Sequence, residues 1–235
     1  MKLDDLRSDL AALGAKPTHT RRLLKSWLRG EAFPDRDGPR DAPFPRRLAE
    51  ALPTLAARLD AIATPISEHP GEDGPLRTLL RLADGLTVES VLLLRDGLCV
   101  STQVGCAVGC VFCWTGREGL LRTLTDVEIL AQVALARRQR KVRRVVLMGM
   151  GEPSHNLPAV LEAMSRLGGE GGLAHKLLVF STVGDKKIFE RLAAHDVKPA
   201  LALSLHTTNA ELRERLLPRA PRIWSSVAAA SGGPL

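Results

Sequence analysis

From Val88 onward β-like and helical runs alternate along the chain, and this alternation constrains the fold more than any other feature. Val88–Leu94 and Leu98–Thr102 read as strands flanking an Asp-Gly turn signal at Arg95–Gly97. Helices are predicted over 126–140, 157–167 and 186–194, and strands over Arg144–Met148, 177–182 and 199–205. A last helix starts near Asn209. Thr125 and Glu128 stand at capping-box spacing ahead of the first of these helices. Strands that alternate with helices run in the same direction, because each crossover helix returns the chain to the same end of the sheet. The expected fold class is therefore α/β, a parallel sheet with helices packed on it. Ligands in such folds gather beyond the C-terminal ends of the strands. That rule singles out Gly149–Pro153, Ser181–Gly184 and Ser204–His206.

The first third has a different texture. Leu3–Leu13, Thr20–Arg29 and Pro45–Leu59 carry apolar residues at helical spacing, the last with Leu48, Leu52, Leu55 and Leu59 on one face. Residues 30–45, rich in Gly, Pro, Asp and Arg, are expected to form a loop, and Pro65–Pro75 a linker. The expected organisation is a small helical accessory domain over 1–77, a core over 78–222 and a tail over 223–235. No apolar run reaches the roughly 20 residues that span a bilayer, and no secretory leader follows Met1. The expectation is a cytoplasmic protein with no membrane partner. Of the 235 residues 45% are apolar, a globular composition. A net charge of +7 favours an anionic partner, and with aromatics at 3% and no tyrosine an RNA-binding surface would lean on Arg and Lys.

All four cysteines fall between residues 99 and 113. Clustering of this kind, in a reducing compartment, points to metal or redox chemistry rather than a disulfide framework. Cys106, Cys110 and Cys113 have the spacing C-x3-C-x2-C. Three thiolates can wrap one face of an iron–sulfur cubane and leave one iron open to a substrate or cofactor, which reductive cleavage of S-adenosylmethionine requires. The alternative is structural zinc, which usually takes four ligands from paired knuckles. Here there is no second knuckle and no nearby histidine, and only Cys99, on a predicted strand, offers a fourth thiol.

The stretch from Leu98 through Cys113, with Thr115-Gly116 after it, closely resembles the radical S-adenosylmethionine (radical SAM) rRNA adenosine methyltransferases, the RlmN/Cfr family. So do Met148–Pro153, Ser181–Gly184, Ser204–His206 and Val88-Glu89-Ser90, in order, from about residue 80 to 222. The resemblance implies a partial (β/α) radical-SAM barrel behind a small helical domain. It implies methylation of an adenine carbon, carbon 2 or carbon 8, in 23S rRNA, with tRNA as a further substrate. In the family a methyl group is first placed on a protein cysteine, and a second cysteine resolves the adduct formed with the base. Carried over residue by residue, Cys106, Cys110 and Cys113 ligate a 4Fe–4S cluster. Gly151 and Glu152 hold the amino group of S-adenosylmethionine, and Ser181 and the strand end Ser204, Leu205 and His206 contact the rest of it. Cys99 matches the resolving cysteine and Glu89 the proton acceptor. The implied partners are rRNA, tRNA and an electron donor such as flavodoxin.

Each assignment has a plainer reading. Glu89 fits an exposed strand residue, Cys99 a small buried hydrophobe, His206 a satisfied core histidine, and Gly149 and Gly151 a simple turn. Arg137, Arg138, Arg140, Lys141, Arg143 and Arg144 fit a solvated helix end that complements the dipole. Arg21, Arg22, Lys25 and Arg29 fit a solvated helix face as well as an RNA contact. The chain also departs from the family pattern. Four strand–helix units follow the cysteines, against six in the family barrel, and beyond Arg222 the sequence reads as a low-complexity tail. With three cysteines assigned to the cluster and one to resolution, no methyl carrier remains. The expectation is a C-terminally truncated member that cannot complete methyl transfer by the family route. The alternatives are a remnant or RNA-binding module that keeps the cluster, and a radical-SAM enzyme with another substrate. Trp114 is bulkier than the family's usual residue there and is expected to narrow the site.

Overall fold

The computed structural model describes residues 1–34 and 43–222, without the side chains of 186 and 187. The tail expected over 223–235, and part of the loop expected over 30–45, lie outside the described residues. Three helices open the chain: α1 (Leu3–Ala12), α2 (Pro17–Arg29) and α3 (Arg46–Asp60). Leu3, Leu6 and Leu10 of α1 and Leu23, Leu24, Trp27 and Leu28 of α2 are buried at helical spacing, as the periodicity predicts. Gly30 ends α2 in the left-handed conformation. A Cβ there would lie 2.8 Å from the main chain of Arg137, so only glycine lets α2 approach that helix so closely.

The linker expected over Pro65–Pro75 is instead mostly strand. Strand β1 (Ala63–Pro70) pairs antiparallel with β2 (Leu76–Leu82), which pairs with β3 (Thr87–Leu93), which pairs with β4 (Gly97–Cys99). Pro65 and Pro70 lack a ladder N–H, and the register shifts between Pro65 and Ser67. An edge strand tolerates both features, and β1 is the outermost strand of the sheet. The turn between β3 and β4 puts Arg95 and Asp96 at positive φ, the twist that a tight hairpin needs.

After β4 the chain makes a small ribbon, β5 (Gln103–Gly105) with β6 (Leu120–Thr123). It then enters α4 (Asp126–Gln139), β7 (Arg144–Leu147), α5 (Leu157–Gly168), β8 (Leu178–Thr182), α6 (Lys186–Ala194), β9 (Ala200–Leu203) and α7 (Ala210–Leu216). The capping box forms as expected: Glu128 N–H donates to Thr125 Oγ1 at 3.2 Å, and Thr125 N–H to Glu128 Oε2 at 2.8 Å. Strands β4, β7, β8 and β9 are parallel neighbours in chain order, so the seven-stranded sheet runs β1-β2-β3-β4-β7-β8-β9. A parallel sheet that adds each new strand on the same side, with right-handed crossovers, carries its helices on one face. Leu98, Val145, Leu178 and Phe180 are buried on that face. This parallel half of the sheet, with helices on one face, is the partial (β/α) barrel that the sequence leads one to expect.

The register also defines the opposite, inner face. Val91 pairs with Cys99, Cys99 with Val146, Val146 with Val179 and Val179 with Ala200. Residues paired across a sheet share a face, and so do residues two apart on a strand. Glu89, Cys99, Met148, Ser181, Ala202 and Ser204 therefore belong to one concave surface.

Candidate active site

The cysteine loop is the excursion between β5 and β6. Its neck is closed by a hydrogen bond from Cys106 N–H to the Gly119 carbonyl at 2.9 Å. Gly105 has φ +78°, and a Cβ there would sit 2.0 Å from that same carbonyl oxygen. No other residue fits the neck. A cavity of about 330 Å³ opens beside the loop, lined by Cys106, Cys110, Cys113, Met148, Gly151, Glu152, Ser181, Ser204 and His206. The three metal candidates and most of the cofactor candidates thus meet at the C-terminal ends of β7, β8 and β9. Leu205 stands within the same strand end but does not line the cavity.

The loop after β7 is pressed onto the end of β4. Gly149 N–H donates to the Val100 carbonyl at 3.0 Å, and a Cβ on Gly149 would lie 2.7 Å from that carbonyl group. Gly151, at φ +102°, has Gln103 where its Cβ would go, at 2.6 Å. The two glycines do more than turn the chain: they let the loop reach the strand. Glu152 is buried, and its carboxylate accepts from Val183 N–H at 3.1 Å and Ser154 N–H at 3.2 Å. Its own N–H donates to Gln103 Oε1 at 2.8 Å. Ser181 on β8 and Ser204 just past the end of β9 bring their hydroxyls within 3.4 Å of each other. His206 is not a core histidine. It is exposed, at positive φ, with its ring 4.7 Å from that of Phe112 in the cysteine loop.

Burial pushes the Cys110 thiol up to about 11, with the neighbouring Cys106 and Cys113 charges adding to it. Burial also raises Cys106. These groups become thiolates readily only when a cation takes up the charge, which is the condition of a metal-binding thiol set. All four cysteines are free thiols. A lone zinc would draw its sulfurs to about 3.8 Å of each other, from a Zn–S bond of about 2.3 Å and tetrahedral angles. A cubane gives each thiolate its own iron, and three thiols on the wall of one cavity suit such a group.

Glu89 and Cys99 do not line this cavity. They share the inner face beside it, with Val91 between them. Burial pushes Cys99 up to about 11, an effect partly offset by a hydrogen bond from Met148 N–H. Because Met148 lines the cavity, Cys99 lies directly behind its wall. Glu89 pairs with Arg77 at 3.0 Å.

A buried polar frame that sequence reasoning missed holds these parts together. Gln132 on α4 takes Ser101 N–H on its Oε1 at 2.8 Å and donates from Nε2 to the Ser101 carbonyl at 2.9 Å. The Ser101 hydroxyl donates to the Glu89 carbonyl at 2.6 Å and accepts from Met150 N–H at 2.9 Å. Asn156 donates to the carbonyls of Thr102 and Leu124, both at 2.8 Å. The only sequence signal was three polar residues, Ser101–Gln103, directly ahead of the cysteine loop.

One further expectation changes. Trp114 does not narrow the cavity: it is 78% exposed and points away, with Arg117 stacked 4.0 Å above its ring. The basic run around the end of α4 is largely exposed, as a solvated helix end would be, with several of its members also paired. Arg137 donates to the carbonyls of Leu28, Gly171 and Val142, Arg138 pairs with Asp60, Arg140 donates to the Leu93 carbonyl, and Arg143 pairs with Asp96.

Helices on one face, an inner face, and a three-thiol loop over the strand ends together define a partial barrel with a thiol-lined cavity at its C-terminal end. Residues 100–228 match the Radical SAM superfamily, more than half of the chain, and the chain belongs to that superfamily. It is 62% identical over 223 residues to a probable RNA methyltransferase of Azoarcus sp., covering 95% of this chain and 64% of that protein. It is 61% identical over 226 residues to another of Leptothrix cholodnii, with the same coverage. The chain thus spans just under two thirds of the length of these relatives. Among solved structures it is similar to a radical SAM methyltransferase from Sphaerobacter thermophilus, with 35% identity and a TM-score of 0.74. That similarity covers 93% of this chain and 66% of the other.

Proposed function

We propose that the chain carries the cofactor-binding part of a radical-SAM RNA methyltransferase that modifies an adenine carbon, carbon 2 or carbon 8, of 23S rRNA, with tRNA as a further substrate; with its four cysteines assigned to the cluster and to resolution, it has no methyl carrier of its own. The observation that carries this reading is the convergence of Cys106, Cys110 and Cys113 with Gly151, Glu152, Ser181, Ser204 and His206 on one cavity. The relatives named probable RNA methyltransferases support the RNA substrate. In this reading the three cysteines hold a 4Fe–4S cluster, whose open iron and low-potential electron serve the reductive cleavage of S-adenosylmethionine. Flavodoxin is the class of donor expected in the cytoplasm.

The remaining work falls to the chain's own side chains. Glu152 has two carboxylate oxygens already fixed by main-chain N–H groups, so its free lone pairs are held still for the cofactor's ammonium group. Ser181 and Ser204 set hydroxyls along one wall, and Ala202 between the strand ends leaves room there. Arg77 fixes the Glu89 carboxylate on the inner face, where it serves as proton acceptor. Burial keeps Cys99 protonated, so its use as the resolving nucleophile begins with loss of the proton from Sγ.

Anaerobic reconstitution tests the reading. The expected result is iron and sulfide bound to the chain, 5′-deoxyadenosine formed with S-adenosylmethionine and dithionite, and loss of both in a Cys110→Ala variant. With no carrier cysteine among its four, the chain should leave 23S rRNA fragments unmethylated, and labelled methyl groups in them would show a route other than the family's. A chain that takes up only zinc, or that releases no 5′-deoxyadenosine, would overturn the reading.

A further inference from the structure

Arg213 is the only Arg or Lys that is buried among the described residues, at 3% exposure. It stands on α7, under the cysteine loop: Val111, next to Cys110, donates its N–H to the Leu216 carbonyl at 3.0 Å. The Arg213 guanidinium donates from Nη2 to the Val183 carbonyl at 2.7 Å and from Nη1 to the Pro221 carbonyl at 2.8 Å. Val183 packs with Cys106 and Val108, and Cys110 packs against the same small cluster.

Among the described residues Arg213 makes no ion pair, and its buried Nε has no hydrogen-bond partner. Arg137 shows what a self-sufficient arginine looks like in this fold. It is less buried, and its Nε, Nη1 and Nη2 all donate to carbonyls. The nearest buried acid, Glu152, accepts from the N–H of Val183, whose carbonyl Arg213 holds, but the two side chains do not meet. Burial holds the Arg213 guanidinium below its ordinary range. A buried cation without a counter-ion is costly and is rarely kept unless an anion completes it.

We propose that Arg213 is the buried countercharge of the iron–sulfur cluster held by Cys106, Cys110 and Cys113. Three thiolates outweigh the charge of a cubane core, so the bound assembly is anionic and becomes more so on taking up one electron. A guanidinium fixed under the cysteine loop, on the Val183 carbonyl, favours the reduced form and raises the reduction potential. This inference rests on the cluster reading of the loop. Arg213 touches no substrate; it acts through the cluster and is a positioning residue.

The experiment is a dithionite titration, followed by electron paramagnetic resonance, of the reconstituted 235-residue chain and of Arg213→Gln and Arg213→Lys, without S-adenosylmethionine. The expected result is a reduction equilibrium at least about tenfold less favourable in the Gln variant, which is ~59 mV for a one-electron couple. The Lys variant should stay near wild type. Should the Gln variant fold but not load iron while the Lys variant loads, charge is required and the proposal stands. Equal potentials in iron-loaded wild type and Gln variant overturn it. So does equal failure of both variants to load iron while their apo forms unfold like wild type, because the hydrogen-bond fork alone would then matter. Unchanged potentials with weakened S-adenosylmethionine binding would assign the charge to the cofactor carboxylate instead, and also overturn it. A wild-type chain that takes up neither iron nor sulfide fails earlier, at the cluster reading itself.

Discussion

Replacing Gln132 with Leu removes the side chain that completes the main chain of Ser101, at nearly constant volume. Gln132 is 1% exposed and Ser101 is fully buried. The change leaves one N–H and one C=O of Ser101 without the partners they now have at 2.8 and 2.9 Å. Each buried group left unpaired costs about 1–3 kcal/mol. The cavity beside Gln132 measures about 10 Å³. That is at the lower limit of the ~10–15 Å³ that one water needs, so solvent cannot restore both bonds. The expected loss is about 3–4 kcal/mol, counting both groups and allowing some relaxation. A domain of this size loses about 2–4 °C of Tm per kcal/mol, which makes a drop of roughly 10 °C. Urea unfolding of the apo chain, followed by circular dichroism, reads the free energy. Amide hydrogen exchange reads the cause: Gly149 and Met150 should exchange faster, because the Ser101 hydroxyl that holds Met150 N–H loses its anchor. A loss under about 1 kcal/mol, with unchanged exchange at Met150, would refute the reasoning.

Gly105→Ala drives a Cβ into the Gly119 carbonyl and forces a positive φ on alanine. It should open the neck of the cysteine loop and abolish iron uptake while the sheet, seen by circular dichroism, stays folded. Cys99 in the apo chain should alkylate with iodoacetamide at a rate that rises about tenfold per pH unit and levels off only near pH 11, read site by site by mass spectrometry; a plateau near pH 9 would contradict its burial. The same raised value makes the folded chain hold this proton longer than the unfolded one, so the Cys99 contribution to stability is present below about pH 9 and lost towards pH 11. Trp114→Ala should leave iron content and S-adenosylmethionine affinity unchanged and shift stability by no more than about 0.5 kcal/mol, since the indole is largely solvent-exposed and outside the cofactor cavity.

The parallel strands were legible because a strand covered on one face by helices and set within a sheet reads as a short apolar run: Val145–Leu147 and Leu178–Phe180 are of this kind. The cysteine loop was legible because ligand spacing is local. Strand β1 was not, because the two prolines that an edge strand accepts are also the residues that mark a linker. The frame of Ser101 and Gln132 was hidden for another reason. Its partners lie 31 residues apart, and no periodicity marks a single buried amide. Met150 lies 49 residues from the same serine. Nor could spacing tell which way Trp114 points, since that is set by the short 3-10 turn Trp114–Gly116. Arg213 looked like one more cation on an amphipathic helix, and only its burial sets it apart.

The two outer strands of the sheet are unlike. At one side, β1 carries Pro65 and Pro70 and a shifted register. At the other, β9 pairs only with β8 among the described residues and shows Leu201 and Leu203 to solvent. A strand edge with its N–H groups intact is a template, and one interrupted by proline is not. The sheet is therefore a one-way structure. Any strand that joins it, from this molecule or another, has a single side on which to grow, and that side stands next to Ser204 and the mouth of the cofactor cavity.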